Sequence, residues 1–92
     1  MPLQGKSIEE YRKAMADLPT CMVDGIYHYI EHRLRPGDFL YSVLCNDFYK
    51  SCALADMNNS GCLKGWAMFV CYQLPEESYG SRKLVDTWLK GK

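Results

Sequence analysis

Charge of neither sign is in excess in this chain: Lys and Arg number 11, Asp and Glu number 11, and the formal net charge of its 92 residues is zero. A protein whose main work is gripping long DNA or RNA is usually basic, because neutralised phosphates must be matched by Lys and Arg, so the balance argues against that class. No apolar run approaches the roughly 18 residues of a membrane span. The opening Met1-Pro2-Leu3-Gln4-Gly5-Lys6 lacks the apolar core of a secretory leader. The five cysteines, at 21, 45, 52, 62 and 71, include no Cys-x-x-Cys pair and are odd in number. A disulfide framework and a zinc ribbon both lose support. On one helix Cys45 and Cys52 would stand roughly 10 Å apart along the axis, beyond the reach of about 7 Å that a disulfide allows. Reduced thiols behaving as small hydrophobes are expected instead.

What is present describes a globular chain. Hydrophobic residues make up 48% and charged residues 24%, and the length supports one core rather than two. The expectation is a single helical domain over 1–92, with 1–6 a flexible start. Ser7-Ile8-Glu9-Glu10 has the form of a capping box and opens a helix over 8–17, stopped before Leu18-Pro19. Thr20 is placed to cap a second helix ending near Leu34, with Met22, Val23, Ile26, Ile30 and Leu34 as its buried stripe. Gly25 within it suggests a close helix crossing. Asp38 is then expected to cap one long helix over 39–57, with Leu40, Val43, Leu44, Phe48 and Ala55 inward and Cys52 beside them. A fourth helix over 62–74 turns Leu63, Trp66, Ala67, Val70 and Leu74 inward, and Pro75 stops it. Ser81 caps the last, carrying Leu84, Val85, Trp88 and Leu89, with Gly91 at a left-handed C-terminal position. The fold class read from this is all-α, a compact bundle of about five short helices with antiparallel neighbours.

Four constellations could carry chemistry. His28-Tyr29-Ile30-Glu31-His32 matches H-x-x-E-H, in which two histidines on one helix face share a zinc ion and the glutamate activates water. Only Glu76 and Glu77 lie downstream as candidates for a third ligand, and 92 residues can hardly build a substrate cleft, so a solvated Asp24-His28-His32 stripe is the favoured reading; incidental metal binding through the pair stays open. The stretch Asp56-Met57-Asn58-Asn59-Ser60-Gly61-Cys62-Leu63 begins like a helix–loop–helix calcium loop. It has Lys64 at the ninth position and Ala67 where a bidentate glutamate belongs, so an interhelical turn is expected and no metal or other cofactor is assigned. Arg33 and Arg35 precede Gly37-Asp38-Phe39 at a helix start, an arrangement that can grip a phosphate unless Asp38 opposes it or the arginines pair with Glu31 or Asp38. Seven tyrosines are many for this length. Tyr27, Tyr29, Tyr41, Tyr49 and Tyr72 fall beside the apolar stripes, and with Asn46 and Asp47 they could build a base-stacking or partner-binding face. No Gly-x-Ser-x-Gly and no phosphate-cradling glycine loop occurs, so an enzyme is not expected.

Beyond these patterns, the run Tyr29-Ile30-Glu31 through Pro36-Gly37-Asp38-Phe39-Leu40, then Val43-Leu44-Cys45-Asn46-Asp47, resembles a group of short phage and prophage accessory proteins. Those show Y-I-E, P-P-G-S-F-L and A-V-L-x-N-D-L in that order, then Y-N-x-x-P and a G-S pair before a tryptophan-bearing helix. Cys71-Tyr72-Gln73-Leu74-Pro75, Gly80-Ser81 and Trp88 fit the closing part, so the likeness covers about 18–90. It departs at Arg35 for the first proline, at Asp38 for the serine and at Ser60-Gly61. The resemblance implies a non-enzymatic protein acting in the cytoplasm of a bacterial host. The expected function is to bind and sequester a small signalling nucleotide of bacterial immunity, as an oligomer, with Arg33, Arg35, Gly37, Asp38, Phe39, Tyr27, Asn46 and Asp47 as ligand-binding residues. The alternative is a protein-interaction module that inhibits a host or defence enzyme through a helical surface.

Overall fold

Ser7 opens the first helix as its sequence asks: its side chain accepts a hydrogen bond from the Glu10 amide, and α1 runs Ile8–Ala14. The computed structural model describes residues 3–55, 59 and 61–91. Five further helices follow: α2 Val23–His32, α3 Asp38–Leu44, α4 Phe48–Leu54, α5 Leu63–Gln73 and α6 Arg82–Lys90. Short 3₁₀ turns at Thr20–Met22 and Glu76–Ser78 precede α2 and α6. Among the described residues there is no strand, and the fold is a compact all-α bundle. Among the described residues six helices have seven or more residues, one more than expected, because the expected third helix is two.

That division falls at Cys45-Asn46-Asp47. Asn46 has φ 62°, in the left-handed region. Its amide donates to Val43 O, and the Asp47 amide donates to Ser42 O at 2.9 Å. This is the paired hydrogen-bond pattern that satisfies the last carbonyls of a helix around a left-handed residue, a conformation asparagine tolerates better than most. Asp47 then caps α4, accepting from the Lys50 amide at 3.2 Å. A continuous apolar stripe across 39–57 therefore does not form, and Phe48, expected inward, and Cys52, expected beside it, face out. Other starts shift for similar local reasons. Thr20 begins a 3₁₀ turn instead of capping α2. Gly37, not Asp38, is the N-terminal flanking residue of α3, and Asp38 is its first helical residue. Residues 15–17 form a turn outside α1.

The core gathers Tyr11, Met15, Val23, Ile26, Tyr29, Ile30, Leu40, Leu44, Trp66, Val70, Val85 and Trp88 from five helices and the turn after α1. Burying each large apolar side chain removes it from water at a gain of about 2–3 kcal/mol. Gly25 does mark a close crossing: a Cβ there would lie 3.0 Å from Leu40 Cδ1, so α2 and α3 touch through it. Tyr29, offered by the sequence as part of a binding face beside the apolar stripe, is fully buried, and its hydroxyl donates to Ser78 O at 2.6 Å. Phe69 takes the inward place expected of Ala67, while Leu34 and Leu84 lie partly in solvent. Gly91 is right-handed at φ −83° rather than left-handed. None of the five cysteines, all among the described residues, is in a disulfide, and three of them are exposed.

Nor does the start of the chain hang loose from residue 3 onward. Leu3 is buried, and its amide donates to Gln73 O at 2.8 Å. Glu31 Oε2 accepts from the Gly5 amide at 2.7 Å, from the Lys6 amide at 3.3 Å and from the Tyr11 hydroxyl at 2.6 Å. One carboxylate on α2 thus ties down both the leading segment and α1. Burial together with that hydrogen bond holds the Tyr11 phenol well above its ordinary range.

Candidate functional site

The residues expected to bind a ligand are dispersed by the fold into four places. Arg33 sits just past α2 with φ 59°. Its guanidinium carbon lies 3.5 Å from the centre of the Trp88 ring, and its Nη1 donates to Trp88 O at 2.9 Å. The cation therefore serves the C-terminal carbonyls of α6, where the helix dipole favours positive charge. Phe39 is buried and meets Trp66 edge-on, with ring centres 6.0 Å apart, so its side chain belongs to the core. Tyr27 stands on the opposite side of α2, against Tyr11 and the two histidines.

Arg35, Asn46 and Asp47 belong to a different neighbourhood, organised by Tyr41. Arg35 is stacked 4.3 Å from the Tyr41 ring centre and pairs with Asp38 at 3.4 Å. Both partners of that pair are more than half exposed, so it is weakly stabilising. Arg82 lies 5.9 Å from the same ring. The Tyr41 hydroxyl donates to Asp86 at 2.7 Å, and that bond to a carboxylate, with some burial, pushes its pKa up to about 12. The neighbouring Cys45 thiol is also raised, chiefly by burial. α3 has seven residues, Asp38 already brings negative charge to its first turn, and Arg35 is engaged with that carboxylate. No phosphate cradle of two free arginines on a helix start is assembled here.

What the structure does assemble lies around α4. Of its seven residues only Ser51 is buried. The Ser51 and Ser42 hydroxyls lie 3.1 Å apart, and Ser51 Oγ also donates to Asp47 O. Phe48 and Tyr49 are 69% and 85% exposed, with ring centres 5.9 Å apart. A helix that buries a serine and shows its aromatics to solvent has the reverse of the usual surface-helix pattern. Two open grooves of about 450 Å³ each flank the Asn46–Asp47 turn and share Phe48 as a wall. One is of mixed character and carries the basic side chains Lys50 and Arg82, running along Tyr41, Asn46 and Asp47. The other is largely apolar, floored by Leu44, Trp66, Ala67 and Val70 with Tyr79 at one side. Sequence reasoning counted Tyr49 among the tyrosines of a binding face, but it turned Phe48 inward on an unbroken helix and singled out neither Lys50 nor Arg82. The signal was Asn46-Asp47 itself, a left-handed residue followed by an N-cap.

The remaining motifs resolve simply. Glu31 of the H-x-x-E-H run is held by the leading segment and Tyr11, not aimed at water near the histidines. Among the described residues no group of three or more His, Cys, Asp or Glu side chains could hold a metal ion. Asp56, Met57, Asn58 and Ser60 of the calcium-like stretch lie outside the described residues. Asn59 within it is buried and accepts from the Trp66 indole at 2.9 Å. No helix among the described residues is long and apolar enough to cross a membrane. No family model, curated protein or solved structure matches the chain.

Proposed function

We propose that this chain is a non-enzymatic binding protein that inhibits a host or defence enzyme by docking on it through the helical surface around α4. The observation that carries the reading is the exposure of Phe48 and Tyr49 between two grooves. Aromatic side chains dominate the few positions that supply most interface affinity, because they bury a large area with few rotors to freeze. An apolar groove beside them takes a side chain from the partner, while Lys50 and Arg82 give a basic rim suited to acidic groups. The resemblance to phage accessory proteins supports a setting in the bacterial cytoplasm, where a protein of this size acts by occupying a surface.

A photo-crosslinking amino acid at position 49 tests this. The expected result is covalent capture of one host enzyme whose activity falls when the purified chain is added. Replacing Phe48→Asp together with Tyr49→Asp abolishes both effects while far-ultraviolet dichroism stays helical. Capture of nothing, or of an enzyme whose activity is unaffected, overturns the reading.

Sequestration of a small signalling nucleotide is the second reading, favoured by Tyr41 lying within reach of Arg35 and Arg82 beside the groove that carries Lys50. A guanidinium-flanked ring can stack a base while the cations face its phosphates. A cyclic nucleotide that raises the melting midpoint, with the rise lost in Arg35→Ala and Arg82→Ala, supports it. No rise with any nucleotide removes it and leaves the docking reading standing.

A further inference from the structure

The H-x-x-E-H motif leaves two histidines that the α4 surface does not use. His28 and His32 occupy successive turns of α2, both exposed, with ring centres 5.5 Å apart and planes tilted by 36°. Two imidazoles bound through nitrogens about 2.1 Å from one tetrahedral ion, each nitrogen about 1.1 Å from its ring centre, hold those centres about 5.3 Å apart. The spacing observed therefore already suits a shared ion. Among the described residues neither imidazole has a hydrogen-bond partner, so neither nitrogen lone pair is diverted.

The rings are also braced. Tyr27 meets His28 edge-on at 5.3 Å and His32 at 5.5 Å, and is itself backed by Tyr11 at 5.3 Å. Side chains that neighbours hold in place lose less rotamer freedom when they take up an ion. Glu31, between the histidines in sequence, is occupied by Gly5, Lys6 and Tyr11. It serves neither as a third ligand nor as the base of a hydrolase.

We propose that His28 and His32 form a two-point chelating site on α2 for a late first-row divalent cation such as zinc, with the other coordination positions left to water. Neutral imidazole suits zinc, nickel and copper, whereas magnesium and calcium require oxygen donors. Two ligands do not enclose the ion, so the site is an open one and not a structural zinc centre. A cation bridging successive turns staples the C-terminal turn of α2, the turn that leads into Arg33 and its hold on Trp88.

Titration of zinc chloride into the full-length, isotope-labelled protein under reducing conditions tests the site. The expected result is that the His28 and His32 ring resonances move together to saturation and the melting midpoint rises. Magnesium chloride should produce neither change. Either His28→Ala or His32→Ala should lose the rise in midpoint, and as both side chains are exposed these variants keep the helical dichroism of the parent. Ring resonances that do not move at millimolar zinc overturn the proposal. So does a rise that survives in both variants, which places the ion on the exposed thiols Cys21, Cys52 or Cys71.

Discussion

Arg33 and Trp88, 55 residues apart in the chain, hold each other. The Trp88 indole N–H donates to Tyr29 O at 3.0 Å, and Arg33 covers that indole and donates to Trp88 O at 2.9 Å. α2 and α6 are thereby latched at their C-terminal ends by reciprocal bonds. The latch also explains Gly91, where any Cβ would come within 2.9 Å of Arg33 Nη1.

Truncating the latch separates its side-chain and backbone contributions. Arg33→Ala loses the stacked cation and its hydrogen bond and keeps the left-handed backbone, for a cost of about 2 kcal/mol. Arg33→Gly loses the same contacts but takes φ 59° readily, so it should be less destabilised by about 1 kcal/mol. Urea unfolding midpoints of the two variants check the order. Equal midpoints would show that the turn carries no conformational cost.

The α3–α4 junction makes a parallel prediction. Asn46→Gly should leave stability nearly unchanged, because glycine accepts the left-handed conformation. Asn46→Ala should cost about 1 kcal/mol, since its Cβ is crowded at φ 62°. Thermal unfolding of both variants measures the difference.

Glu31 anchors residues that precede it by more than a helix length. Glu31→Ala leaves the Gly5 and Lys6 amides and the Tyr11 hydroxyl without their acceptor, a loss of about 2–3 kcal/mol for hydrogen bonds to a charged group. Trypsin should then cut after Lys6 markedly faster than in the parent. Tyr11→Phe, which removes one of the three donors, should give a smaller loss of about 1 kcal/mol.

Alkaline stability depends on Tyr41. The bond to Asp86 favours the neutral phenol in the folded chain and raises its pKa to about 12. The unfolded phenol ionises near pH 10, so between about 10 and 12 the folded state holds the extra proton. The stabilisation is present in full below pH 10 and disappears as the pH rises through 12. Unfolding free energy should fall across that window, and Tyr41→Phe should flatten the fall. Tyr11 and Tyr29, also raised by burial, leave a remainder of the same sign.

The helices could be read from the chain wherever a cap and an apolar period agree. Ser7 and Ser81 both cap as expected, accepting from Glu10 and Leu84 amides, and the stripe Val23, Ile26, Ile30 is buried. Periodicity failed at Asn46-Asp47, where residues on either side share a helical spacing by coincidence and the turn chemistry between them prevails. The ligand-binding set was less legible still. Adjacency suggested that Arg33 and Arg35 act together, yet the left-handed turn at Arg33 sends one guanidinium to Trp88 and leaves the other on Tyr41. Tyr29 and Tyr27 differ by two positions on α2, enough to put one in the core and the other beside the histidines.

Because α4 is fastened by a hydroxyl pair and the Asp47 cap instead of an oily seam, it can peel away from the bundle without opening the core. Its amides should trade hydrogen for deuterium well ahead of those in α2 and α5. A partner clasping Phe48 and Tyr49 would then slow that exchange in α4 alone, a local footprint visible before the partner's own structure is known.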